Sequence, residues 1–160
     1  MRRILLGACA VMTVWATVVS VSGQSSDPWI GSWKTNLEKS QYDPPSMRPK
    51  NPSILKREVA GDGYKVITNG MNGEGVPTHT EYTVSPDGRD YPITGTASVD
   101  SVAIKRFDAN TQLQVRKKGG TVVAMYRQIV SKDGKTLTSD EVGYTAQGAA
   151  YHDVLVFDKQ

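Results

Sequence analysis

Apolar and polar residues alternate along most of this chain in short runs separated by turn-forming residues. Residues 53–60, 64–68, 76–84, 99–107, 113–116, 121–130, 136–144 and 150–157 carry such runs. Between them stand Gly61-Asp62-Gly63, Asn69-Gly70, Ser85-Pro86-Asp87-Gly88, Asp108-Ala109-Asn110, Gly119-Gly120, Lys132-Asp133-Gly134-Lys135 and Ala146-Gln147-Gly148. A period of two belongs to strands, whose side chains point to opposite faces in turn. Asp-Gly and Gly-Gly pairs accept the positive φ of tight hairpin turns. No stretch offers an apolar stripe at helical spacing, and only residues 37–40 suggest a turn of helix. With residues 29–36 the pattern gives about nine evenly spaced strands. The prediction is an all-β fold, an antiparallel up-and-down β-barrel of about eight to ten strands, with a β-sandwich as the alternative.

One connection breaks the rhythm. Residues 40–52, SQYDPPSMRPKNP, hold four of the eight prolines. Proline cannot donate to a sheet ladder, so this stretch reads as a stiff, extended crossing after the first strand. A flexible linker between domains favours Gly and Ser instead, and the length suits one domain.

The start of the chain reads differently. Met1-Arg2-Arg3 is positive, residues 4–21 carry no charge, and Ser22, Gly23 and Gln24 are small or polar. This is the build of a signal peptide at residues 1–23, cleaved near Ser22 or Gly23, with an uncleaved anchor as the rival. The expected product is a single domain over residues 24–160, periplasmic or secreted, with no stable membrane insertion after cleavage. Leu6-Gly7-Ala8-Cys9 weakly resembles a bacterial lipidation signal.

Cleavage changes the charge balance. The chain has 19 Lys+Arg and 16 Asp+Glu; losing Arg2 and Arg3 leaves 17 against 16, a net of +1. The basic character thus sits in the targeting segment, and nothing argues for nucleic acid as a partner. Cys9 is the single cysteine, so residues 24–160 have neither a disulfide nor a thiolate nucleophile.

Two resemblances bear on the fold. Gly31-Ser32-Trp33 in the first strand resembles the motif that opens the calycins, the lipocalin and fatty-acid-binding barrels. In those families the tryptophan plugs the closed end of the barrel, and a long connection after the first strand is common. Lipocalins pack an arginine from beyond the last strand on that tryptophan; Lys159 is the nearest approximation here. There is no lipocalin Thr-Asp-Tyr turn. The chain is also similar to small secreted bacterial proteins of unassigned role. The shared blocks are W-K-x-N-x-x-K-S at 33–40, D-G-[KR]-x-Y-P at 87–92 and S-K-D-G-K-x-L-T at 131–138. This resemblance implies a lipocalin-like barrel and brings no function with it.

Few residue sets suit catalysis. His79 and Glu81 share one strand face and His152 is the only other histidine, so the three make a candidate zinc set. The bland reading leaves both histidines facing solvent. No serine sits in a Gly-x-Ser-x-Gly elbow. Asp140 and Glu141 are adjacent on a strand and point to opposite faces. The glycine-rich NGMNGEG, residues 69–75, has no helix after it to form a phosphate cradle, and reads as a hairpin loop that could line a barrel mouth. We therefore expect no catalytic residues, no metal site and no cofactor.

The phase of the strands is more informative. Arg106 is in phase with Val102 and Ile104, and Arg127 with Val123, Met125 and Ile129. If those apolar faces point inward, two guanidinium groups point inward too, and each needs a carboxylate or an anionic ligand. Glu58 and Glu141 are candidate internal acids; snorkelling to water at the rim is the other outcome. Trp33, Tyr64, Tyr82, Tyr91 and Tyr126 either line such a cavity or pack as core. The leading expectation is an exported lipocalin-like barrel that binds a small apolar or amphipathic, anionic or neutral, lipophilic ligand non-covalently. The alternative is an interaction module with a filled core, acting through residues 40–52 and 69–75. A barrel-pocket enzyme using His or Glu as base comes third.

Overall fold

A computed structural model describes residues 27–160. The expected signal peptide at 1–23 and the lipidation motif at Cys9 lie outside the described residues. Ten strands follow one another: β1 Gly31–Thr35, β2 Ile54–Ala60, β3 Gly63–Met71, β4 Pro77–Val84, β5 Asp87–Pro92, β6 Ser101–Arg106, β7 Thr111–Lys118, β8 Thr121–Val130, β9 Thr136–Tyr144 and β10 Ala150–Lys159. A 3-10 turn, Pro45–Met47, lies in the proline-rich crossing. β5 is the strand that alternation does not announce, since residues 87–92 show no apolar periodicity.

All ten strands form one sheet in the order β4-β3-β2-β1-β10-β9-β8-β7-β6-β5. Each neighbour pair is antiparallel, and β1 lies between β2 and the last strand, β10, with Trp33 opposite Leu55 on one side and Lys159 on the other. The seam between β4 and β5 is crossed by one bridge beyond the end of β5. Glu81 N–H donates to Thr94 O at 3.1 Å and Thr94 N–H to Glu81 O at 2.9 Å. The fold is therefore an up-and-down barrel, nearly closed, and the two-layer sandwich does not occur. Near-closure turns the two edge strands, β4 and β5, toward each other across that seam.

Two tryptophans close one end. Trp29 and Trp33 are fully buried. Trp33 Nε1 donates to Trp29 O at 3.3 Å, and Trp29 Nε1 donates to Ala109 O at 2.8 Å. Lys159 Nζ sits 4.9 Å from the centre of the Trp33 ring and donates to Pro28 O at 3.2 Å. A lysine thus fills the cation position beside the indole. Gly31 is required by this arrangement: its φ is +132°, and a Cβ there would lie 2.8 Å from Lys159 Cε. Val66, Val84, Val102, Ile104, Val130 and Leu137 pack with the two indoles in the buried core.

Strand phase on one wall is the reverse of the expectation. On β8 the inward residues are Ala124, Tyr126, Gln128 and Val130, whereas Met125 and Arg127 are exposed. The register of β7 against β8 shifts between Arg116 and Lys117, which puts Val123 in a bulge. On β7 the buried residues are Gln112 and Gln114, and Leu113 and Val115 lie on the other face. Apolar side chains therefore cover the outside of this wall and glutamines its inside. The inward glutamines are hydrogen-bonded in the barrel interior.

Truncating the plug tests the fold directly. Trp33→Ala should cost about 3–5 kcal/mol, whereas Lys159→Ala should cost about 1 kcal/mol, the scale of one cation–π contact. Urea unfolding followed by far-UV circular dichroism measures both.

Candidate functional site

Above the plug the barrel encloses a cavity of about 700 Å³. Its wall includes Leu55 and Arg57 of β2, Tyr82 of β4, Gln114 and Arg116 of β7, and Tyr126 and Gln128 of β8. Glu141 of β9 and Leu155 and Phe157 of β10 complete it. Three loops frame the mouth: the proline-rich crossing with Ser46, Met47 and Pro49, the β3–β4 loop with Asn72, Gly73 and Glu74, and the β9–β10 loop with Thr145 and Gln147. The first two loops touch, since a Cβ on Gly73 would lie 2.5 Å from Ser46 O.

Register stacks the inward side chains of β7 to β10 in layers. Above Val130, Leu137 and Phe157 come Gln112, Gln128, Ser139 and Leu155, and then Gln114, Tyr126, Glu141 and Asp153. Nearest the mouth come Arg116, Ala124, Gly143 and Tyr151. The two small residues in that last layer leave room for the two long ones. A Cβ on Gly143 would meet Ala124 Cβ at 2.8 Å and Tyr151 Oη at 2.9 Å.

The buried amides of Gln112 and Gln128 belong to one connected network, and that of Gln114 to a separate pair with Tyr82. Tyr64 Oη donates to Gln112 Oε1 at 2.9 Å, and Gln112 Nε2 donates to Gln128 Oε1 at 2.8 Å. Gln128 Nε2 donates to Ser139 Oγ at 3.4 Å, and Ser139 Oγ donates to Glu141 Oε1 at 2.7 Å. Tyr82 Oη donates to Gln114 Oε1 at 3.2 Å. These mutual bonds let glutamines occupy an interior, because each buried amide finds a partner and is not left desolvated.

Arg57 is the least satisfied polar side chain of the cavity wall. It is 1 % exposed, and its Nη2 donates to Gln128 Oε1 at 2.9 Å. Its guanidinium carbon lies 5.1 Å from the centre of the Trp29 ring and 5.7 Å from that of Tyr64. Among the described residues Nε and Nη1 have no hydrogen-bond partner, and no carboxylate pairs with the group. An amide and two ring faces offset part of the cost of burying this charge but do not neutralise it. Arg116, stacked 4.8 Å from the centre of the Tyr126 ring, also has a buried Nε without a partner among the described residues.

Glu141 is the acid in this wall. Removal from water pushes its carboxyl up to about 7, against the opposing pull of the Ser139 hydrogen bond and the Arg116 charge. Burial also raises the Tyr82 and Tyr126 hydroxyls, so both phenols remain hydrogen-bond donors and are poorly suited to act as bases.

The residues singled out by sequence scatter. Tyr82 and Tyr126 lie in the cavity wall. Tyr64 lies deeper and is tied into the network by its hydroxyl, and Trp33 belongs to the plug. Arg106 is at the closed end, where Nη1 pairs with Asp27 Oδ2 at 2.9 Å and the guanidinium lies 5.5 Å from the Trp29 ring. It is therefore a plug residue that has found its carboxylate. Arg127 faces outward and is exposed, because β8 runs in the opposite phase. Tyr91 bonds Asp87 at 3.0 Å, outside the cavity wall. Glu58 is exposed and pairs with Lys56 at 2.7 Å. His79 and His152 are exposed on β4 and β10, separated by three strands. Among the described residues no three His, Cys, Asp or Glu side chains are placed to hold a metal ion.

Arg57, Arg116, Gln112, Gln114 and Gln128 escaped the sequence reading. One signal was present: Arg57 shares its face with Leu55, as Arg116 shares its face with Gln112 and Gln114.

Stability measurements probe both buried charges. Arg57→Met should unfold at the same or a higher urea concentration than the parent. The substitution removes an unpaired buried charge, and Gln128 Oε1 keeps its bond from Gln112. The folded carboxyl of Glu141 is raised from 4.5 to about 7, so its contribution is full below about pH 4.5 and is lost as pH rises through about 7. Glu141→Gln should abolish that loss and exceed the parent by about 1–3 kcal/mol at high pH.

No family model matches this chain, and no curated protein is similar to it. Among solved structures, a crystal structure of zebrafish ileal bile acid-binding protein complexed with cholic acid is similar, with a TM-score of 0.49 and 12% sequence identity. The match covers 83% of this chain and 99% of that one.

Proposed function

We propose that this chain is an exported barrel that binds a small amphipathic anion in its interior, non-covalently. The observation that carries the reading is Arg57, a buried guanidinium with two nitrogens, Nε and Nη1, that meet no acceptor among the described residues, on the wall of a cavity of about 700 Å³. A carboxylate, sulfonate or phosphate presented to those groups gains charge-assisted hydrogen bonds at a site already desolvated. The network of Gln112 and Gln128 holds the guanidinium in place beforehand, which lowers the ordering cost of binding. Leu55, Leu155, Phe157 and Met47 supply apolar surface for the rest of the ligand. The size of the cavity admits one such molecule. Export rests on the charge and hydropathy of residues 1–23.

A matched pair of ligands tests this. Laurate and dodecanol differ in charge and share a chain, so intrinsic fluorescence titration should find laurate bound more tightly. Arg57→Met should weaken laurate about 10–100-fold, the scale of one or two charge-assisted bonds, and leave dodecanol unchanged. Equal laurate affinity in parent and variant would remove the proposal. N-terminal sequencing of protein recovered outside the cytoplasm should begin at residues 22–25.

A further inference from the structure

The acid in the cavity has no role in that reading, and it shares its space with two cations. Glu141 lies in the layer of Gln114 and Tyr126, one step nearer the mouth than Gln128, which holds Arg57, and one step deeper than Arg116. Arg57, Arg116 and Glu141 all line the same cavity. We infer that the barrel takes up its anion together with a proton held on Glu141, and that the two leave together. The inference rests on the interior-anion reading above.

Charge sets the first constraint. When Glu141 is ionised, its carboxylate shares the cavity with the ligand's own anionic group, and like charges there disfavour each other. When it is protonated, Arg57 and Arg116 face the ligand uncompensated. The hydrogen-bond network accommodates both states. Ser139 Oγ donates to Glu141 Oε1 and accepts from Gln128 Nε2, and neither bond needs the acid proton. The other carboxyl oxygen then carries that proton and can donate it in a hydrogen bond to the anion. Burial already holds the carboxyl at about 7, so a second anion nearby raises its proton affinity further. By linkage the proton raises the anion's affinity by the same factor.

The other charged and titratable groups around Glu141 do not supply this behaviour. Tyr126 of β8 and Tyr151 of β10 are phenols whose pKa values burial raises, and Arg116 of β7 keeps its charge. Asp153, directly opposite on β10, accepts the Asp43 N–H at 3.0 Å. Burial raises its carboxyl as well. Asp140 is the sequence neighbour on the outer face, bonded to His152 at 2.8 Å. Tyr42 and Glu74 belong to the mouth loops, and Arg57 and Tyr82 line the same cavity from β2 and β4. Asp153, opposite Glu141, and His152, bonded to its neighbour Asp140, are therefore the control positions.

Anilinonaphthalene sulfonate serves as the probe, because its sulfonate stays ionised throughout and only the protein titrates. Its affinity for the full protein is measured from about pH 5.5 to about pH 8.5, with near-UV circular dichroism verifying the fold at each pH. The parent's affinity should fall about tenfold across that range. Glu141→Gln should hold the low-pH affinity throughout, whereas Asp153→Asn and His152→Gln should keep the parent's profile. Calorimetry of the parent in two buffers of different ionisation enthalpy should show net proton uptake on binding near pH 7. A flat parent profile, an unchanged profile in Glu141→Gln, or zero proton uptake would overturn the inference while the anion reading stood. Equal probe affinity in Arg57→Met and the parent would instead overturn the anion reading, and the inference with it.

Discussion

A single buried positive charge organises the middle of this barrel. Arg57 cannot be left in an apolar chamber, so its surroundings have to be polar, and buried polar groups must bond one another. Gln128 accepts from both Arg57 and Gln112, which commits its amide nitrogen to Ser139, whose hydroxyl is then committed to Glu141. One guanidinium therefore fixes the orientation of a chain of side chains reaching from β2 across to β7, β8 and β9. The closed sheet is what allows that reach, because it brings strands from both halves of the sequence around one axis.

The same constraint explains the reversed wall. With Gln112, Gln114 and Gln128 required inside, the period of two sends Leu113, Val115 and Met125 outside. The barrel has its apolar core mainly at the plug, where Trp29, Trp33, Ile104 and Leu137 pack. The two ends of the axis thus differ: one is dry and filled, the other is hydrogen-bonded around the cavity.

Much of the fold was legible in the sequence and less of the site. The Asp-Gly and Gly-Gly turns, the alternation and the proline cluster carry strand number, antiparallel order and the one long crossing, because these depend on local geometry. Phase is not local. Whether Met125 or Tyr126 faces inward depends on the layer each meets across the sheet, and Arg127 and Gln128 present the same problem one step on. An apolar-inside rule chooses wrongly wherever the interior is polar. Arg106 shows a second limit: its partner Asp27 lies 79 residues away, and nothing in either neighbourhood announces the pair. β5 shows a third, because pairing with β6 makes a strand of residues with little strand character of their own.

The contact between Gly73 and Ser46 bears on kinetics. The proline-rich crossing and the β3–β4 loop meet without an intervening side chain, so a molecule passing the mouth between them must first push their backbones apart. How long a guest resides would then depend on the bending stiffness of a segment whose prolines restrict its torsions, as much as on the strength of the grip inside. For the ligand proposed above, occupancy and exchange rate would consequently be under separate structural control.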